Sequence, residues 1–316
     1  MDACDLVVLY VNNQDPIWRK TFVDFCETHE EYTEKLGMIN GERFRDDLDL
    51  FKLNLQFIRL CLPFIRKRYL VISNIEQIDG LDTDGYEIVL HKDIMPSEIL
   101  PTFNSSVIEM FIHNIKGLAE RVIYLNDDMI PLRVMRESDF FTKDGDAKMN
   151  IYTLHETTNN SLFRQLCVNE YRMIMDGRDA YLGDDYYIRP EHSVSVLFKS
   201  VMQDVFERFN DYIMSNTEPF RTERQFNQYA YIYEMVARDM VVPSELRYLY
   251  VKLRSKNFLD NCYAICDTSG SKIDWICAND DEKDELLPDK ELRGRIFRKA
   301  LTLCLDNLKA KETEQK

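Results

Sequence analysis

The chain has 316 residues, 45% of them hydrophobic and 12% aromatic, enough to bury a sizeable core and too long for a peptide scaffold. Its 40 Lys and Arg stand against 55 Asp and Glu, a formal charge of -15 that repels nucleic acid and anionic lipid, so no nucleic-acid partner is expected. The eight cysteines, at 4, 26, 61, 167, 262, 266, 277 and 304, lie mostly in apolar runs and read as reduced, buried thiols; Cys262 and Cys266 lack the second pair that a structural zinc needs.

In chain order, Leu6 to Val11 is an apolar run of strand length that ends in Asn12-Asn13-Gln14-Asp15-Pro16. Ile17 to Cys26 and Leu48 to Leu62 carry apolar residues at spacings of three and four and predict helices, the second stopped by Pro63. Tyr69 to Ile72, Glu87 to Leu90 and Val122 to Leu125 predict further strands, ending in Ser73-Asn74, His91-Lys92-Asp93 and Asn126-Asp127-Asp128. After Pro101, Asn104-Ser105 supplies N-cap chemistry for a helix through Val107, Ile108, Phe111, Ile112 and Ile115 to Gly117. This alternation predicts an α/β fold with a largely parallel sheet over residues 1 to about 130.

Beyond residue 140, Val194 to Met214 and Glu223 to Met240 predict helices, whereas Leu246 to Leu253 and Tyr263 to Cys266 read as strands. Glu291 to Leu308 predicts a surface helix with Ile296, Leu301, Leu305 and Leu308 inward. No repeat or linker divides the chain. The expected division is one domain over 1–290, with a helical insertion at about 142–240, and a C-terminal helix and tail over 291–316. No apolar run is long enough to cross a bilayer and no basic leader precedes Asp2, so the cytoplasm is the expected compartment; peripheral membrane association and oligomeric state stay open.

Open α/β sheets bind ligands beyond the carboxyl ends of their strands, which directs attention to the four polar strand ends. Each taken singly also reads as a turn. Asp127-Asp128 is the strongest: two adjacent carboxylates repel, and a divalent cation such as magnesium or manganese relieves the repulsion, with a helix cap or turn as the competing explanation. Neither GxGxxG nor GxxxxGK[ST] occurs, so phosphate would be held by metal and cationic side chains. Arg43 and Arg45, before Asp46, and Arg221 offer guanidinium forks for it, or surface ion pairs. Ser105, Glu109 and His113 recur at intervals of four, a polar stripe that needs partners in the core or a ligand. His192, after Arg189-Pro190-Glu191 and ahead of a predicted helix, is either a general base or an ordinary loop residue. Asn279-Asp280 ends the apolar stretch Ile273 to Ala278 and repeats Asn126-Asp127 in type.

Taken together these blocks resemble the Stealth family, which includes bacterial capsule hexose-1-phosphate transferases and the lysosomal-enzyme N-acetylglucosamine-1-phosphotransferase. Residues 5–16 are similar to the family's opening block, with Asn13 and Gln14 in place of Gly-Ser. The second block is carried by 43–46, 91–96, 100–106, Ile108-Glu109, Ile112-His113, Gly117-Leu118, 124–128 and 138–141. A looser third block holds His192, Arg221 and Tyr229 to Tyr233, and residues 276–280 resemble the terminal block.

The resemblance implies a Rossmann-like, glycosyltransferase-A-like catalytic domain, its mostly parallel sheet flanked by helices with a helical C-terminal elaboration. It would transfer a sugar-1-phosphate from a UDP-sugar donor to a glycan acceptor hydroxyl, with UMP leaving. It implies metal ligation by Asp127, Asp128, Asn279 and Asp280, and catalytic roles for His192, Asp15, Arg43, Arg221, His113 and Glu109. Donor contacts would come from Asn12, Asn13, Arg45, Asp46, Asn74, His91, Asp93, Asn104, Ser105 and Asn126. The rivals are a metal-dependent glycosyltransferase releasing UDP and a non-catalytic glycan-binding protein.

Overall fold

The structure, a computed structural model, describes residues 3–40, 49–155, 161–267, 273–278 and 287–314. Strand β1 (Cys4–Leu9) is buried along its whole length, as expected of a strand covered on both faces. Its one charge, Asp5, is held by the Arg66 guanidinium at 2.8 and 2.6 Å and by the Ala119 amide at 2.7 Å. Helix α1 (Pro16–Thr28) starts on Pro16 with Asp15 as N-cap, and α2 (Leu50–Cys61) follows the first undescribed segment. Then come β2 (Arg68–Ile72), β3 (Tyr86–Leu90), short helices α3 (His91–Ile94) and α4 (Ser105–Glu109), and β4 (Arg121–Asn126).

Strands β1 to β4 lie parallel in the order β3-β2-β1-β4, and the sheet is completed by β9 (Ser195–Phe198), antiparallel to β4. The fold is therefore α/β with a mixed central sheet. Between β4 and β9 the chain forms β5 (Met129–Pro131), β6 (Ala147–Lys148), β7 (Ile151–His155), α5 (Leu162–Met175) and β8 (Tyr186–Pro190). After it come α6 (Lys199–Arg208), α7 (Asn210–Ser215), α8 (Gln228–Ala237), β10 (Val241–Val242), β11 (Tyr248–Val251), α9 (Phe258–Cys266), β12 (Trp275–Ala278) and α10 (Lys290–Glu314).

A second sheet, β11-β12-β5, pairs β12 parallel with β11 and antiparallel with β5. It carries its own core, in which Phe297, Leu301, Cys304 and Leu305 of α10 pack on Ile276, Val251 and Phe258. Helix α2 serves both cores: Phe51, Leu55 and Ile58 face the main sheet, and Leu50, Phe57 and Cys61 face the second.

Five expectations are corrected. The residues 104–117 form one short α-helix and a 3-10 turn (Ile112–Asn114), not one long helix, so Ser105, Glu109 and His113 do not share a helical face. Val194 to Met214 begins as a strand: Ser195 to Phe198 are all buried, and a short run buried on every side has no periodicity to separate strand from helix. Tyr263 to Cys266 belong to α9, where Cys262 and Ile265 face the core and Tyr263 faces solvent. The antiparallel β9 makes the central sheet mixed, and residues 142–240 contain strands as well as helices. All eight cysteines are free thiols, seven of them buried. Among the described residues, no helix is long and apolar enough to cross a membrane.

Candidate active site at the strand tips

The carboxyl ends of β1, β2 and β4 open onto a cavity of about 570 Å³. Leu9 to Val11, Val71, Ser73 and Asn126 to Asp128 form its floor, His91 and Asn104-Ser105 one side, and Trp18, Phe103 and Phe220 an aromatic wall. Arg221 stands at its edge and donates to Ser105 Oγ at 2.7 Å. The cavity is thus lined by two carboxylates, the Arg221 guanidinium, the Lys35 ammonium and several neutral polar groups, a set suited to an anion held through cations.

Asp128 sits where β4 of the main sheet gives way to β5 of the second. Asn54, buried on α2, fixes this corner by donating to the carbonyls of Asp127 (3.1 Å) and Met129 (2.9 Å). The pairing of β5 with β12 brings Cys277 beside it, where the thiol donates to Asp128 Oδ2 at 3.4 Å, while Ala278 N donates to the Asp128 carbonyl at 2.9 Å. His192 Nε2 reaches within 4.0 Å of Asp128 Oδ2. The ligand atoms of Asp128, His192 and Cys277 all lie within 4.8 Å of one another, a group that could hold a metal ion. The Asp128 carboxylate is a hard oxygen donor, whereas imidazole and thiol also suit softer metals, so the group does not select one ion.

Behind the cavity, α8 is anchored by carboxylates. Glu109 Oε2 accepts from Gln228 N (3.0 Å) and its Oε1 lies 2.9 Å from the Tyr124 hydroxyl, Glu170 of α5 accepts from Asn227 N, and Asn227 caps the helix through Tyr229 N. Burial raises both carboxyls, Glu170 well above the ordinary carboxylate range, and so favours their neutral forms. The loop that presents Arg221 is organised by Gln225. Its Nε2 donates to the carbonyls of Glu218 and Phe220 (both 3.1 Å), and its Oε1 accepts from Asn104 Nδ2 (2.7 Å) and Thr222 N (2.9 Å).

The other expected site residues are placed as follows. Asp15 caps α1 through Ile17 N and Trp18 N and accepts from Asn74 Nδ2 (2.9 Å) and Gln77 Nε2 (2.8 Å). Burial alone would raise its carboxyl, but the four hydrogen bonds outweigh burial and hold it below the usual range. Asn12 bonds Gln77 through its backbone N–H and carbonyl, and the Asn13 side chain accepts from Gln14 Nε2. Asp93 caps α3 by accepting from Leu90 N. His91 lies in the cavity wall, where burial lowers its pKa to about 4. His113 packs against Phe206, 4.8 Å between ring centroids, outside the cavity lining. Arg43, Arg45, Asp46, Asn279 and Asp280 lie outside the described residues. The sequence pattern did not point to Asn54, Gln77, Gln225 or Cys277 as site residues; the one available signal was a polar side chain inside an apolar helix stripe, as at Asn54.

Residues 43–149 match the family model described as Stealth protein CR2, conserved region 2. The chain is 34% identical to exopolysaccharide phosphotransferase cps2G of Lactiplantibacillus plantarum, over 54% of this chain and 51% of that protein. It is 31% identical to capsular polysaccharide phosphotransferase WcwK of Streptococcus pneumoniae, over 64% and 61% of the two chains. To a capsular polysaccharide phosphotransferase of Actinobacillus suis it is 25% identical, over 87% and 76%. The match to cps2G thus spans about half that relative's length. Over these stretches the chain is similar to the Stealth family and to polysaccharide phosphotransferases.

Proposed function

We propose that the chain is a phosphotransferase that moves a sugar-1-phosphate from a UDP-hexose or UDP-N-acetylhexosamine to a glycan hydroxyl, releasing UMP, in capsule or cell-surface polysaccharide synthesis. The observation that carries this reading is the single junction at Asp128, where the anion-suited cavity meets His192. The names of the relatives, polysaccharide phosphotransferases, support the reaction class.

In this reading Asp127 and Asp128, with Asn279 and Asp280 beyond β12, would hold Mg²⁺ or Mn²⁺. When bound, the ion supplies charge neutralisation of the diphosphate. Arg221, with Arg43 and Arg45, binds phosphate oxygens, and Ser105, Asn104 and Asn126 contact the donor. His192 accepts the proton of the attacking hydroxyl, while buried His113 is poorly placed for that task. Glu109 and Asp15 hold α8 and α1 in place. The strand order β3-β2-β1-β4 with its antiparallel β9 supports a Rossmann-like, glycosyltransferase-A-like description; the reading takes 1–290 as one catalytic domain working at the cytoplasmic side.

Incubation with UDP-sugars and oligosaccharides is expected to yield UMP. UDP would instead indicate an ordinary glycosyltransferase, and no nucleotide release a binding protein. Asp127→Ala and His192→Ala are each expected to lower turnover at least about a hundredfold, the scale of a lost metal ligand or general base. Near-wild-type turnover in both variants would remove these roles.

A further inference from the structure

Displacement at phosphorus runs in line, with attacking and leaving oxygens on opposite sides of the reacting atom. If UMP leaves on the cavity side of Asp128, the acceptor hydroxyl must arrive from the other side. His192 marks that other side: it is not part of the cavity lining, yet its ring reaches Asp128 and its side chain is 39% exposed.

Two exposed tyrosines lie in this region, one against the imidazole and one bonded to the residue before it. Tyr250 of β11 is paired in register with Cys277 of β12, and its ring meets that of His192 edge-on, 6.2 Å between centroids at 66°. Strand alternation explains its direction: Leu249 and Val251 pack into the second core, so Tyr250 faces outward and remains 44% exposed. Lys252 Nζ lies 5.4 Å from the Tyr250 ring centre. Tyr152 of β7, 42% exposed, donates at 3.0 Å to Oε1 of Glu191, the residue just before His192. Two large exposed aromatics beside one polar site are not required by the fold, since neither completes a core.

We infer that Tyr250, with Lys252 and Tyr152, forms the acceptor subsite, on which the terminal sugar of a glycan stacks so that one hydroxyl faces His192. The C–H face of a pyranose is weakly positive and complements the negative face of a phenol ring, while ammonium and phenol groups satisfy ring hydroxyls. The inference rests on the transfer reading above and adds the surface from which the acceptor approaches.

The test uses the full chain, a UDP-hexose or UDP-N-acetylhexosamine, and labelled oligosaccharides ending in glucose, galactose or N-acetylglucosamine. Tyr250→Ala is expected to raise the acceptor KM about tenfold, the scale of one aromatic contact, with the donor KM moving less than about twofold. Tyr250→Phe, which keeps the ring, should restore the acceptor KM. An unchanged acceptor KM in Tyr250→Ala, or a rise in the donor KM instead, overturns the subsite. Should Tyr250→Ala fail to fold, Lys252→Ala reads the same pair of constants. If UDP replaces UMP, the sugar-phosphate reading fails while the KM comparison still decides the acceptor face. If no oligosaccharide stimulates nucleotide release by the wild type, both fall.

Discussion

The phenol of Tyr124 lies within hydrogen-bonding distance of two acceptors, Glu109 Oε1 at 2.9 Å and Asn126 Oδ1 at 2.8 Å, but carries one proton. A neutral Glu109 resolves the conflict by donating to the phenol, which then donates to Asn126 in the cavity floor, and burial of Glu109 favours that neutral form. Glu109→Gln can make the same bonds, its amide to Tyr124 and its carbonyl to Gln228 N, so its thermal stability at pH 7 should match wild type within about 1 kcal/mol. Glu109→Leu strands both partners and should cost about 2 kcal/mol or more in the same melts. Cys277 bears on the proposed metal site in a similar way. As a thiol donating to Asp128 it orients the proposed ligand, so Cys277→Ala should weaken Mn²⁺ binding about tenfold in calorimetric titration, whereas Asp128→Ala should abolish it. Loss of binding in Cys277→Ala as complete as in Asp128→Ala would make the sulfur a direct ligand. Asp127-Asp128 was legible in the sequence because a strand and its polar end are adjacent along the chain. Asn54 and Cys277 were not, because their roles exist only once α2 and β12 pack against the β4 corner.

Helices and loops divide in the same manner. The parallel strands and α1, with its Asp15-Pro16 start, follow from local patterns of apolar runs and caps. Strand β9 and helix α9 were misread because Ser195 to Phe198 and Tyr263 to Cys266 are short apolar stretches whose state is set by what they pack against. The loop carrying Arg221 has no regular structure, and its shape depends on one side chain. All four hydrogen bonds of Gln225 tie that loop to itself and to Asn104. Gln225→Leu should therefore lower turnover about tenfold by releasing Arg221, yet change it less than about twofold in an Arg221→Ala background, the signature of two residues acting as one. Additive losses in that cycle would show that Gln225 acts by another route.

Across the whole molecule, two sheets with separate cores share α2 and meet at the Asp128 corner, so the site depends on both cores. The C-terminal helix, legible from its apolar spacing, supports the second sheet through Leu301, Leu305 and Leu308, although nothing local in the sequence tied it to the strand holding Cys277. Global stability should report the buried imidazoles. Burial lowers the pKa of His113, and likewise of His91, to about 4, against about 6.5 for an exposed histidine. Between these values the unfolded chain binds protons that the native chain does not, so this contribution to stability falls as pH drops from about 6.5 to about 4 and is level outside that window. Raised carboxyls at Glu109 and Glu170 act oppositely, since their unfolded forms ionise first as pH rises. A comparison of variants isolates the imidazole. His113 packs on Phe206, and burial outweighs its backbone contact with Met110, so His113→Phe removes a titrating group from a largely apolar site. Relative to wild type, His113→Phe should gain stability on acidification, by on the order of 3 kcal/mol between pH 7 and pH 4, read from denaturant melts across that range. A difference between the two proteins that stays constant with pH would mean that His113 titrates in the folded protein as it does in the unfolded chain.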